Sequence, residues 1–172
     1  MMESAYRTFW PRFWAGILDG ILFLPITLID PWVYSHINSN GVLAIWFVLS
    51  TSTFFIYEVL MHGKYGQTVG KMATRVIVLD VSLDKLSMRQ AFLRDSVYIA
   101  LTTVGIIIDF PKVVKGWNPY QGPIGLSTKI LSFASFGWFL VELVTMLTNN
   151  KRRALHDFIA GSVVIRRQGF RE

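Results

Sequence analysis

The chain has 172 residues, of which 52% are hydrophobic, 15% aromatic and only 16% charged. Because a soluble domain of this size has about 25% charged residues, the composition excludes that class and indicates a small integral membrane protein. The net charge of +6 comes from Lys and Arg residues beside apolar stretches. That placement favours anionic lipid headgroups over nucleic acid as partners. There is no cysteine, which excludes disulfides, thiol catalysis and thiolate metal sites.

Four apolar stretches follow one another along the chain, and the second and fourth have about the length that a bilayer core requires. The clean apolar run of the third is short, so by length alone it could cross the membrane or lie in the interface. The third begins early, at a capping box formed by Ser87 and Gln90. The first is expected to kink at Pro25 and to end before Asp30-Pro31, since proline disfavours helix at the preceding residue. The predicted spans are Pro11–Ile29, Val42–Met61, a third that contains the apolar run Ser96–Ile108, and Ile130–Thr148.

Basic residues decide the predicted orientation. With four crossings, the N-terminal segment, the middle loop and the C-terminal tail lie on one side, and the two outer loops carry only Lys112, Lys115 and Lys129. The positive-inside rule then places both termini in the cytoplasm. The residues expected on that side are Arg7, Arg12, Lys64, Lys71, Arg75, Lys85, Arg89, Arg94, Lys151, Arg152, Arg153, Arg166, Arg167 and Arg171.

Two short β-branched segments are expected on the same cytoplasmic face. Residues 75–80 and 162–166 both read as strands, and they could pair if the bundle supports them. Between the second and third spans, Gly66–Lys71 is shorter than a phosphate loop and is interpreted as a tight re-entrant turn. We therefore predict an all-α integral membrane protein. Its single domain, residues 1–172, is a four-helix transmembrane bundle with both termini cytoplasmic and short cytoplasmic β segments.

Three of the spans carry a single acid, and the predicted topology places Asp19, Glu58 and Glu142 at similar depth. An ionisable group in a span costs roughly 2.5 to 3.5 kcal/mol at the bilayer centre, so three at one level suggest a site. The acids could pair with Arg or Lys side chains that reach in from the cytoplasmic segments. Alternatively, at least two of them could share a cation or a proton. No Lys or Arg is expected deep within a span.

Two neighbouring features complete the candidate site. Arg12 and Asp19 are seven residues apart, which places them on one helix face but about 10 Å apart along the axis, so a water or a third residue would have to join them. His156 and Asp157 are adjacent, and adjacent helical residues point apart, which disfavours a catalytic pair. With no nucleophile, metal-ligand set or cofactor loop in evidence, we expect no enzyme activity, cofactor or metal.

Three separated motifs occur in order along the chain. They are Arg12 with Asp19, the segment from Gly66 to Asp80, and Lys151–Asp157 followed by Ile-Ala-Gly-Ser-Val-Val. Together they resemble the RDD family of membrane proteins, which is named for one arginine and two aspartates. These fall here on Arg12, Asp19 and Asp157. The resemblance implies a multi-pass protein of the bacterial inner membrane, and some relatives are described as sodium or proton antiporters.

Two functions are compatible with these features. In the first, an oligomer exchanges Na⁺, Li⁺ or K⁺ for protons through intramembrane carboxylates, because a homodimer could supply the two related halves that alternating access usually needs. In the second, the protein is a non-transporting accessory or scaffold protein. Arg12, Asp19 and Asp157 then form a polar clasp that docks the C-terminal segment, while the basic face binds anionic lipid or a protein partner.

Overall fold

The computed structural model describes residues 5–121 and 123–167, so Arg171 of the predicted basic tail lies outside the described residues. Four long helices are joined by short segments, and two short helices and two strands lie between or after them. In chain order the elements are α1 (Phe9–His36), α2 (Asn40–Tyr65), α3 (Val69–Ala73), β1 (Val76–Asp80), α4 (Met88–Val114), α5 (Leu126–Thr148), α6 (Leu155–Ile159) and β2 (Ser162–Arg166).

The four long helices are long and apolar enough to cross a membrane. They have 28, 26, 27 and 23 residues, and each contains an 18-residue window whose mean hydropathy is 1.6, 1.7, 1.7 or 1.8, in chain order. Large apolar side chains cover their outer faces, with Leu28, Ile107 and Phe133 exposed by 69%, 67% and 75%. Such an outer surface suits lipid rather than water. The prediction of a four-helix membrane bundle is confirmed.

The first helix runs further than predicted. The prediction ended it at Ile29, but α1 continues through Pro31 to His36. The restriction that proline places on its preceding residue is a bias, and Pro31 itself forfeits only one backbone hydrogen bond. The added turns bury Val33 and Tyr34, whose burial offsets that loss. Their buried partners at this end of the bundle are Leu43, Ala44 and Val113.

The predicted start of the third span is confirmed in detail. The Oγ of Ser87 accepts from the backbone N–H of Gln90 at 3.2 Å, and the Oε1 of Gln90 accepts from the backbone N–H of Ser87 at 3.1 Å. This reciprocal capping satisfies two of the free donors at the start of α4. The helix therefore begins eight residues before the clean apolar run, and its first two turns carry polar side chains into the bundle.

The two predicted strands form one antiparallel pair. Val78 lies opposite Val164, and Asp80 lies opposite Ser162. An isolated pair is marginal in water, but here the inward side chains pack on the bundle. The resulting buried cluster is Val76, Val78, Leu86, Ala91 and Val164. We call the end of the bundle that carries β1 and β2 the sheet end.

A turn after α2 brings the chain back into the bundle. Gly66 ends α2 in the left-handed conformation, with φ of 67°, which favours glycine. Thr68 then caps α3 by accepting from the backbone N–H of Lys71 at 3.3 Å. The short helix packs against α1. The predicted re-entrant turn is thus present, with one turn of helix inside it, and we call residues 67–74 the re-entrant segment.

Candidate polar site inside the bundle

A polar cavity of about 450 Å³ lies between the helices near the sheet end. The three predicted acids line it from three different helices, Asp19 from α1, Glu58 from α2 and Glu142 from α5. A fourth acid, Asp95 of α4, was missed by the sequence reasoning and lines the same cavity. Each of the four long helices therefore contributes one carboxyl group to a single space.

Three bases also line this cavity, Arg12, Lys71 and Arg94. Arg12 and Arg94 reach the cavity from the first two turns of α1 and α4, near the ends of their spans. Lys71 arrives on the re-entrant segment, which folds back against α1. Arg94 lies in the second turn of α4 and is only 5% exposed, because that helix begins well before its apolar run. The acids thus face buried bases, which lowers the cost of keeping carboxylates there.

Asp19 is held by hydroxyl and backbone donors. Its side chain is 1% exposed. Its Oδ1 accepts from the Tyr57 hydroxyl and from the Gly70 backbone N–H, both at 2.8 Å. Its Oδ2 accepts from the Thr68 hydroxyl at 2.6 Å. Because two of these three donors belong to the re-entrant segment, Asp19 fastens that segment to the middle of α1.

Gly70 makes this attachment possible. A Cβ at this position would overlap the carbonyl oxygen of Ala15 and would lie 2.9 Å from the Cγ of Asp19. Only a residue without a side chain allows α1 and α3 to approach so closely. The second glycine of the Gly66–Gly70 motif is therefore explained by packing against α1, without any phosphate ligand.

Asp157 is the centre of a second network. It is fully buried on α6. Its Oδ2 accepts from Arg12 and from the Ala154 backbone N–H, both at 2.9 Å. Its Oδ1 accepts from Arg94 and, at 3.1 Å, from Ser162. Burial opposes ionisation of Asp157, but Arg12 and Arg94 outweigh it and hold the pKa well below its usual range.

His156 extends this network to Glu142. Its Nε2 lies 3.1 Å from an Arg12 guanidinium nitrogen, and its Nδ1 lies 2.5 Å from the Glu142 Oε1. Arginine only donates, so Nε2 must accept, and the ring proton must be on Nδ1, where it donates to Glu142. The imidazole is therefore neutral in this arrangement. Burial and the nearby Arg94 lower the pKa of His156, which agrees with that assignment.

The remaining cavity groups are less tightly held. The Lys71 ammonium lies 3.9 Å from Glu58. Burial lowers the pKa of Lys71, although Glu58 opposes the shift. The His62 Nδ1 lies 3.9 Å from the Asp95 Oδ2, beyond hydrogen-bond distance. Among the described residues, neither ring nitrogen of His62 nor this Asp95 oxygen has a hydrogen-bond partner, although all three atoms are buried.

The five residues predicted for the site are therefore brought to one end of the bundle but not into one cluster. Arg12 and Asp157 are bonded directly, and Glu142 joins them through His156. Asp19 and Glu58 belong to the neighbouring part, beside the re-entrant segment. Sequence reasoning missed Tyr57, His62, Thr68, Arg94 and Asp95. The capping box held the signal for the last two, since it places both inside α4.

The fold and the cavity define a class, an integral membrane protein whose apolar helices enclose a charged polar interior. The family follows from a sequence comparison in which the profile of the RDD family matches residues 6–161. The chain therefore belongs to the RDD family. No curated protein and no solved structure matches it.

Proposed function

We propose that this protein exchanges a monovalent cation, Na⁺, Li⁺ or K⁺, for protons through the polar cavity. The observation that carries the proposal is an imbalance of buried charge. Four carboxyl groups line the cavity, and Asp157 shares two of the bases that line it. In the part of the chain that the structure describes, these five acids face three Lys or Arg side chains, Arg12, Lys71 and Arg94. Arg153 is not among the residues that line the cavity, and its guanidinium donates instead to the backbone carbonyl oxygens of Asp157 and Ser162, at 2.8 and 2.9 Å.

Uncompensated charge inside a membrane is too costly to persist. The excess of two negative charges must be balanced by protons, on carboxyl groups or on His62, or by bound cations. Protons and monovalent cations then compete for the same groups, which is the condition for exchange. His62 and Asp95 are the groups best suited to this competition, because both ring nitrogens of His62 and the Oδ2 of Asp95 are buried without a hydrogen-bond partner among the described residues. Asp19 and Asp157 are already saturated with donors and serve the architecture.

We propose for this protein the membrane and the orientation that the sequence predicts. Both termini and the sheet end face the cytoplasm of a bacterial inner membrane, where anionic lipids contact the basic segments. A homodimer or higher oligomer provides the second half that alternating access needs. The protein acts as a transporter and carries out no covalent chemistry.

Flux measurements test the proposal. Purified protein is reconstituted in vesicles with an imposed pH gradient, and Na⁺, Li⁺ or K⁺ is then added. We expect the cation to collapse the gradient, and we expect Asp95→Asn and Glu58→Gln to abolish the effect at normal abundance. Asp84→Asn, which removes an exposed acid outside the cavity, should transport normally. Absence of flux with properly folded wild-type protein would refute the proposal.

The clasp function remains a second candidate because of one observation. Arg12 and Arg94 reach Asp157 from α1 and α4, so this acid fixes the C-terminal segment to two helices at once. A scaffold protein would need that docking and no exchange. In that case Asp95→Asn would leave every cellular role of the protein intact, whereas Asp157→Asn would lower its abundance.

A further inference from the structure

A second cavity, of about 600 Å³, lies between α2, α4 and α5 in the half of the bundle away from the sheet end. Its polar lining consists mainly of hydroxyl groups, with one carboxyl group at its far end. These residues are Thr51, Thr102, Asp109, Thr128, Ser132 and Ser135. Five hydroxyl groups therefore line one space, and the sequence reasoning assigned them no role.

The two cavities follow one another along the same three helices. On α2, Phe55 lines the first cavity and Thr51, one turn away, lines the second. On α4, Tyr98 lines the first and Thr102, again one turn away, lines the second. On α5 the step from Glu142 to Ser135 is two turns. Residues at these spacings share a helix face, so both cavities open on one continuous seam.

The hydroxyl groups of the second cavity differ from others in the bundle. Thr53, Thr103 and Thr145 donate to the carbonyl oxygen four residues earlier, at 2.5, 2.7 and 2.9 Å. That backbone bond is the usual solution for a hydroxyl in a helix. Within the part of the chain that the structure describes, the five hydroxyls of the cavity donate to no protein atom. Their oxygens are free to replace part of the water shell of an alkali cation.

Aromatic side chains lie along these helices between the levels of the two cavities. The rings of Phe55 and Tyr98 are stacked, with centroids 6.5 Å apart. On α5, Trp138 lies between Ser135 and Glu142 at helical spacings of three and four residues, which places it on the same face. Its indole Nε1 is buried without a partner among the described residues. A buried donor of this kind is normally satisfied, and a water or a hydrated ion at this level would supply the partner.

We propose that the two cavities are halves of one cation path along α2, α4 and α5, closed in this structure by a constriction of Phe55, Tyr98 and Trp138. The hydroxyl-lined cavity is a binding vestibule for a partly hydrated monovalent cation that enters from the end opposite the sheet end. Asp109, whose Oδ1 accepts from Lys112 at 2.6 Å, marks its mouth. The path rests on the proposed exchange function, for which it supplies the second entrance.

Because the chain has no native cysteine, single cysteine variants report the path cleanly. Ser132→Cys and Ser135→Cys place thiols in the second cavity. Gly16→Cys places one in the first, where an added Cβ meets no heavy atom within 4 Å. Ala134→Cys is the matched control, because Ala134 is exposed at the same depth and lines neither cavity. Each variant is sealed in vesicles and treated from either side with a charged, membrane-impermeant thiol reagent, and cation flux is measured in parallel.

Thiols react as thiolates, which form in water and not in lipid. We therefore expect the second-cavity cysteines to react roughly tenfold faster than Ala134→Cys. They should react only with reagent added on the side opposite the sheet end. Gly16→Cys should react from the sheet end alone. Adding Phe55→Ala should let the reagent reach Ser135→Cys from the sheet end as well. Second-cavity cysteines as slow as the control, in vesicles that transport, would overturn the path and leave the exchange function standing. Reactive cysteines in folded protein without flux would overturn the exchange function, and the path with it.

Discussion

Replacing Asp157 by Asn removes the charge that holds two guanidinium groups inside the bundle. In the native protein this fully buried carboxylate accepts from Arg12, Arg94, Ser162 and the Ala154 backbone. An asparagine retains one acceptor oxygen, and its amide group presents N–H donors where guanidinium and backbone N–H groups, which can only donate, need an acceptor. Arg12 and Arg94 would then be buried without their shared counter-ion.

The expected cost follows from the burial. Breaking a buried ion pair by removing one partner costs about 3 to 5 kcal/mol, because a charge is left uncompensated. Here both guanidinium groups lose their partner, but each keeps another acceptor, the Arg152 carbonyl oxygen for Arg12 and the Ser162 hydroxyl for Arg94. We therefore expect Asp157→Asn to lower the free energy of unfolding by about 4 kcal/mol.

The assay is unfolding of purified protein in mixed micelles by increasing denaturing detergent, followed by loss of helicity. Asp84→Asn, an exposed acid, is the control and should change stability by less than about 0.5 kcal/mol. Combining Asp157→Asn with Arg12→Met completes a double-mutant cycle, and the combined cost should be well below the sum of the single costs. A cost of less than about 1 kcal/mol for Asp157→Asn would refute the role of Asp157 as the centre of this network. A double variant whose cost equals the sum of the two single costs would refute it as well.

Three further predictions concern the same end of the bundle. Gly70→Ala should destabilise the protein by about 3 kcal/mol, because the added Cβ would overlap the Ala15 carbonyl oxygen. Gly20→Ala should instead stabilise α1 by about 0.5 to 1 kcal/mol, because a Cβ there meets no heavy atom within 4 Å. Equal melting temperatures for the two variants would contradict this prediction. Burial and Arg94 lower the pKa of His156 in the folded protein below 6.5, so the unfolded state binds the proton more readily. The stability of the protein should therefore fall as the pH drops from about 6.5, and it should fall less steeply in His156→Asn. Superimposable pH profiles of the melting temperature for the two proteins would exclude His156 as the cause. Asp19→Asn should expose the re-entrant segment to proteolysis, and Asp95→Asn should not, because of these two acids Asp19 alone hydrogen-bonds to that segment. Equal cleavage rates would count against the assigned role of Asp19.

Much of the fold could be predicted because its signals are local. Hydropathy and length define the four helices, the Ser87 capping box sets the start of α4, and β-branched runs define both strands. The end of α1 could not be predicted from Pro31, because what carries the helix to His36 is the burial of Val33 and Tyr34 by residues far away in the chain.

Several residues of the site could be predicted from the sequence, but not which of them pair with one another. The depths of Asp19, Glu58 and Glu142 follow from their positions in the spans, and all three reach one cavity. Which base meets which acid depends on how the helices are arranged, and the sequence does not give that arrangement. The pairing of Asp157 with Arg94, 63 residues apart, requires α4 and α6 to meet. Asp95 was missed because the apolar run was counted from the residue after it.

The central claim is that protons and monovalent cations compete for an excess of buried carboxyl groups. The most direct measurement is proton release from concentrated, purified protein in weakly buffered detergent solution when sodium chloride is added, with choline chloride as the control. We expect sodium to release protons, up to the two needed to balance five acids against three Lys or Arg side chains, and we expect Asp95→Asn to release fewer. Folded protein that releases no protons with sodium, lithium or potassium would contradict it.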